Sequence, residues 1–174
     1  MGAALPAHPP DPYAAEYVVA PSDDDVGTAA GQARAFAGGL LGIGRDGPEL
    51  GAQGTLELMA SAYLGVRASL AWTALRPGGE PMLLAASIGP SLHLVPYRRV
   101  DVSLFFEGGF AGVDLTGRPT AMPIVSPGLA VEVWLTGWAF LRGEGRIDWG
   151  IYGTSDAAHG YLRLFAVAGP GIAI

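Results

Sequence analysis

His93 is the side chain in this sequence best suited to chemistry. Ser91 lies two positions before it and Asp101 eight positions after it. A hydroxyl nucleophile, an imidazole base and an orienting carboxylate are the parts of a hydrolytic or acyl-transfer site, provided that they converge. A spacing of two puts Ser91 and His93 on one face of an extended strand. A turn centred near residue 97 brings Asp101 opposite His93 on the next strand. The same residues also make an ordinary structural cluster, because a buried histidine is satisfied by hydrogen bonding to an acid. His159 and Asp156 form a second candidate, in a polar loop. Two ligands are too few for zinc, which takes three or four, so no metal site is expected. Gly38–Gly39 and Gly42–Ile43–Gly44 look like parts of a phosphate loop. No Lys-Ser/Thr pair closes that loop and no helical pattern follows, so no nucleotide or other cofactor is expected.

The elements that hold these residues are read from composition and period. The chain has 174 residues, 50% apolar and only 15% charged, with 27 Gly and 14 Pro. That balance fits short strands joined by turns rather than long helices. No apolar run reaches the length of a membrane helix. Cysteine is absent, which excludes a disulfide framework, a thiolate nucleophile and a Cys metal site. Every basic residue is Arg and none forms a patch, so nucleic acid is not an expected partner.

Residues 1–29 read as a disordered arm. Pro6, Pro9, Pro10, Pro12 and Pro21 forbid a regular helix or central strand. Asp11, Glu16, Asp23, Asp24 and Asp25 favour solvent, and the first Arg is Arg34. The arm lacks the basic region and apolar core of a secretory signal. An exported form therefore implies a leader that is not part of this chain.

From about residue 30 the polarity alternates. Eight stretches are expected, at roughly 31–44, 51–61, 64–75, 82–95, 99–113, 124–135, 138–152 and 160–173. Each can supply the about 9–11 residues of a tilted membrane strand. The seventh is the clearest. Arg142, Glu144, Arg146 and Asp148 share one parity, and Leu141, Ile147, Trp149 and Ile151 share the other. A strand turns those sets to opposite faces, whereas a helix would scatter the charges. Likewise Leu104, Phe106 and Phe110 oppose Asp101, Ser103 and Glu107, and Val66, Leu70 and Trp72 oppose Arg67 and Ser69.

Alternation alone does not say which face points inward. Three features favour charges inside. Tight connections near Ala62–Tyr63, Pro96–Arg98 and Thr136–Gly137 alternate with longer ones at Arg45–Glu49, Arg76–Pro81, Asp114–Ala121 and Gly153–His159, as in transmembrane barrels. Turns centred at 62, 97 and 137 set Glu57 against Arg67, His93 against Asp101 and Glu132 against Arg142, pairs of opposite sign. Trp134, Trp138, Trp149, Tyr97 and Tyr152 lie towards strand ends, where interface aromatics belong. Eight strands enclose a lumen that side chains just fill. Arg34, Glu57, Arg67, Glu107, Glu132, Arg142, Glu144, Arg146, Asp148 and Arg163 are the expected lumenal charge network. Pro90, inside a strand, predicts a bulge or bend.

Over about residues 31–174 this pattern resembles the small eight-stranded outer-membrane barrels of Gram-negative bacteria. The run Phe105–Phe106–Glu107–Gly108–Gly109–Phe110–Ala111–Gly112 is similar to the aromatic–acid–glycine strands of that group. The aliphatic ending at Ile174 departs from its usual aromatic terminus. The resemblance implies a closed, all-β, up-and-down antiparallel barrel over 30–174. It also implies outer-membrane localisation and outer-membrane lipid as surroundings, with envelope proteins as partners through loops or the arm. Three functions follow as hypotheses. One is a structural or interaction barrel with a plugged lumen and no pore. The second is a soluble, lipocalin-like barrel whose Leu104, Phe106 and Val133 line an apolar cavity. The third is an outer-membrane lipid hydrolase or acyltransferase using His93.

Overall fold

The computed structural model describes residues 27–44, 47–75, 83–96, 98–115, 118–152 and 159–174. Eight strands follow in order: β1 Ala33–Gly44, β2 Gly47–Met59, β3 Leu64–Leu75, β4 Leu83–His93, β5 Val100–Leu115, β6 Arg118–Trp134, β7 Ala139–Tyr152 and β8 His159–Ala173. Each pairs antiparallel with its neighbour in sequence, and β1 pairs with β8 to close the barrel. Closure removes both sheet edges, so each strand has a ladder on either side. The expected arm at 1–29 falls, up to residue 26, outside the described residues.

The register follows the polarity. Glu57 opposes Arg67 and Glu132 opposes Arg142. The β4–β5 hairpin is two positions longer than expected, so His93 opposes Ser103 rather than Asp101. An even slip preserves the face, and Asp101 still reaches His93 diagonally.

Two expected loops are strand. β1 and β2 are joined by residues 45–46 alone, and β5 and β6 by 116–117. Glu49, assigned from sequence to a loop, therefore lies in β2. The opposite rim carries connections at 60–63, 94–99 and 135–138. The other two expected loops, Arg76–Pro81 and Gly153–His159, lie outside the described residues except for His159, which begins β8, and β5 and β6 are the longest strands. At the 60–63 and 135–138 turns a hydroxyl caps the bend. Ser61 Oγ accepts from Leu64 N at 3.0 Å, and Thr136 Oγ1 accepts from Ala139 N at 3.0 Å. Each cap carries an exposed aromatic two residues on, Tyr63 and Trp138.

Pro90 produces no shift of register. The β4–β5 ladder has partners at Ile88–Gly108 and Ser91–Phe105 on one continuous register, while Pro90 stays opposite Val66 on the β3 side. The missing N–H interrupts one ladder without inserting a residue. The irregularity falls instead in β2–β3, between Leu50 and Gly51.

Residues 27–32 turn back over the 60–63 rim. Gly31 takes the left-handed φ of 77° that this reversal requires and donates to Met59 O at 2.8 Å. Thr28 is thereby buried, with its N–H on Pro96 O at 2.6 Å.

Candidate functional site: a charged lumen

The inward parity of every strand carries polar side chains among apolar ones such as Phe36, Phe105, Met122 and Phe165, and its charged members are buried together. Arg34 (β1), Glu57 (β2), Arg67 (β3), Glu107 (β5), Glu132 (β6), Arg142, Glu144, Arg146 and Asp148 (β7) and Arg163 (β8) all lie inside the barrel, each at most 4% exposed. The outward parity is apolar. Leu56, Leu58, Leu70, Ile88, Leu104, Phe106, Phe110, Leu129, Leu141, Leu162 and Leu164 stand on the outer wall.

The charges form three levels. Nearest the 60–63 rim, Arg34, His93 and Arg142 meet Glu57, Asp101 and Glu132. Arg142 Nη1 lies 3.0 Å from Glu57 and 2.8 Å from Glu132, and Arg34 pairs with Glu132. His93 bridges two acids, with Nδ1 2.6 Å from Asp101 Oδ2 and Nε2 3.2 Å from Glu57 Oε1. Arg34 Nη1 lies 3.5 Å from each ring nitrogen as well. Thr28 Oγ1 donates to the same Asp101 oxygen at 2.7 Å and caps the cluster.

At mid-barrel Arg67 is the hub. Its Nε donates to Glu107 Oε1 at 2.6 Å, and its Nη2 donates to both oxygens of Glu144 at 2.9 and 3.0 Å. Glu107 also accepts from Ser69, Ser87 and Arg146. Glu144 accepts from Gln53 at 2.9 Å and pairs with Arg142 at 2.6 Å. Arg146 and Ser126 hold Asp148. At the far end Arg163 pairs with Glu49 and donates to Thr73 at 3.2 Å. Such charges are tolerable in low dielectric only because each is paired.

Three aromatic rings complete the packing, each set between an arginine and a glycine. Arg67 lies 3.7 Å above the Phe105 ring, Arg163 lies 4.2 Å above Phe165, and Arg34 lies 5.1 Å above Phe140. The cross-strand partners of those rings are Gly128, Gly42 and Gly171. A Cβ on these glycines would stand 2.3, 2.4 and 2.1 Å from the ring it faces. The glycines are the space into which the rings lie flat, and the rings then take a cation–π contact on their lumenal side.

Of the Ser91–His93–Asp101 grouping, the structure joins His93 to Asp101 and leaves Ser91 without a hydrogen bond to either. Both His93 nitrogens face carboxylates, and buried Ser91 Oγ makes no hydrogen bond. Nε2, the nitrogen that a serine would use while Nδ1 holds Asp101, lies 3.2 Å from Glu57 Oε1 instead. His93, Asp101 and Glu132 bring ligand atoms within 4.8 Å of one another. Glu132 is held there by two guanidiniums, so this donor set already has its cations and does not suit a metal ion. The second candidate lies beyond the described side chains: Asp156 is outside the described residues, and of His159 only the backbone is described.

Several placements differ from expectation. Trp134 is buried at 2% exposure against Phe140, because its parity is that of Glu132. Trp138 and Trp149 are exposed; Tyr97 and the Tyr152 side chain lie outside what is described. Leu104, Phe106 and Val133, the proposed lining of a soluble barrel's cavity, face outward. Glu49 and Gln53 join the lumen unannounced, although both continue the odd parity of Thr55 and Glu57.

No protein-family model matches the chain, and no curated protein matches its sequence. Solved structures do match. The N-terminal β-barrel domain of Pseudomonas aeruginosa OprF superposes with a TM-score of 0.61 at 10% identity, over 84% of this chain and 100% of that one. P. aeruginosa outer membrane protein OprG gives 0.64 at 9% identity, over 86% and 99%. Neisserial surface protein A gives 0.55 at 13%, over 81% and 95%. The chain has the fold of the small eight-stranded outer-membrane barrels.

Proposed function

We propose that this protein is an integral outer-membrane barrel with a structural or interaction role, its wall in lipid and its lumen closed by charged side chains. The observation that carries this reading is the inversion of polarity: paired charges inside and a continuous aliphatic and aromatic wall outside. In water that wall would be an exposed apolar surface far beyond what monomeric soluble proteins carry. In a bilayer the same wall is the matched surface, and closure pairs every strand on both sides so that no sheet edge faces lipid. A plugged lumen argues against diffusion through it. Lipid is thus the immediate partner, and protein partners in the envelope would be met through the inter-strand connections or the N-terminal arm. The reading is tested by fractionation and gel mobility. The native protein is expected in membranes and released by detergent, with faster migration unboiled than boiled. A soluble protein with no heat-dependent shift would contradict it.

A further inference from the structure

Arg98 and Arg99 stand apart from the other charges. Among the described side chains they are the exposed charged groups, at the rim of the barrel; every other described Asp, Glu and Arg is buried. They are adjacent on the β4–β5 turn, immediately before Val100, whose exposed side chain begins the apolar wall. Leu94 and Val95, at the other end of the turn, are exposed as well. Tyr63 and Trp138 project from the two other turns of the same rim.

The turn that presents the pair is held by its backbone. Leu94 N donates to Val102 O at 2.8 Å, and Trp134 N donates to Arg99 O at 2.8 Å. Thr28 N donates to Pro96 O at 2.6 Å, and His93 N, at the start of the turn, donates to Tyr63 O at 2.8 Å. These bonds tie the turn to β5, β6, the returning N-terminal segment and the β2–β3 turn. A side chain carried on such a support loses less freedom when it binds.

We infer that Arg98 and Arg99 form a binding surface for the phosphate of an anionic phospholipid headgroup. The inference rests on the membrane reading above and names one lipid class for one rim. Guanidinium forks match phosphate oxygens in planar, bidentate geometry. Leu94, Val95 and Val100 place the acyl chains of that lipid directly against the wall. Tyr63 and Trp138 mark the headgroup level, where amphipathic rings settle. An apolar wall flanked by two adjacent cations fits an amphiphile with an anionic head better than it fits a free anion.

The test reconstitutes the full chain in phosphatidylcholine vesicles with and without phosphatidylglycerol. Lipid that stays with the protein on extraction is identified by mass spectrometry. Wild type is expected to retain phosphatidylglycerol above its share of the bilayer. A juxtamembrane Arg near an anionic surface contributes about fivefold in binding. Enrichment should therefore fall about fivefold in Arg98→Gln or Arg99→Gln and further in the double variant. Equal enrichment in wild type and double variant overturns the inference. So does displacement of the lipid by millimolar inorganic phosphate, which would mark a free-anion site. Asp23→Asn, Asp24→Asn and Asp25→Asn together should leave enrichment unchanged. A rise would show that the chain's own acidic run occupies the pair. Failure of wild type to enter phosphatidylcholine vesicles at all would instead contradict the membrane reading, so the two failures are distinguishable.

Discussion

Replacing Arg67 by Met removes the hub of the mid-barrel network while keeping most of its volume. The variant loses the contacts to Glu107 and Glu144 and the cation–π contact with Phe105. Breaking a buried ion pair from one side costs about 3–5 kcal/mol, because the remaining charge stays buried. Here each acid keeps another cation: Glu107 has Arg146 at 3.3 Å, and Glu144 has Arg142 at 2.6 Å. The expected loss is therefore at the low end, about 3 kcal/mol. Adding Glu107→Gln should recover part of it, because the double variant no longer buries the uncompensated acid. A double-mutant cycle with Arg67→Met, Glu107→Gln and the pair measures that coupling, about 1–3 kcal/mol for side chains in direct contact. The assay is reversible urea unfolding of the protein folded in lipid vesicles, followed by tryptophan fluorescence. An Arg67→Met variant as stable as wild type, or strictly additive variants, would refute the idea of a dry, mutually paired lumen.

Three further outcomes follow from the same geometry. Gly128→Ala sets a methyl 2.3 Å from the Phe105 ring and 2.7 Å from Gly145 O. It should cost about 1–3 kcal/mol as overpacking in the same unfolding assay, whereas an unchanged midpoint would deny the glycine its role as ring space. Phe106→Arg on the mid-wall should cost about 2–4 kcal/mol in a bilayer, and no loss would mean that this face does not meet lipid. His93→Ala should destabilise the barrel by about 1–3 kcal/mol, because Glu57 and Asp101 each lose one buried hydrogen-bond partner while keeping Arg142 and Thr28 respectively. The same variant should leave lipid-release activity of the preparation unchanged; loss of such an activity would favour the hydrolase reading over the structural one.

The strands and their facing were legible because polarity alternates without interruption where the lumen is charged. Arg142, Glu144, Arg146 and Asp148 give both strand and face in seven residues. Glu57–Arg67 and Glu132–Arg142 give two registers, because a two-sided tight turn fixes pairing once its centre is known. The β4–β5 register differs by two from that of a turn centred at 97, because parity is blind to an even slip. Glu49 was missed because Pro48 and two glycines resemble loop composition, while strand pairing at Gly44–Gly47 overrode that preference. Trp134 shows the same rule from the other side. Its type suggests the membrane interface, but its parity with Glu132 places it inside. The glycine–aromatic–arginine stacks were not legible, since they require knowing that Gly128 opposes Phe105 across β5–β6. The position of the Arg98–Arg99 pair against the wall likewise needed the fold.

The most direct test of the inverted barrel uses the absence of native cysteine. Single cysteines at Leu104, Phe106 and Phe110, and at Ser103 and Ala111, sample both faces of β5. After reconstitution in vesicles each is labelled with a nitroxide, and its collisions with dissolved oxygen and with a water-soluble nickel complex are measured. Positions 104, 106 and 110 should be open to oxygen and closed to nickel, and 103 and 111 should be closed to both. Nickel access at 104, 106 and 110 would contradict a lipid-facing wall.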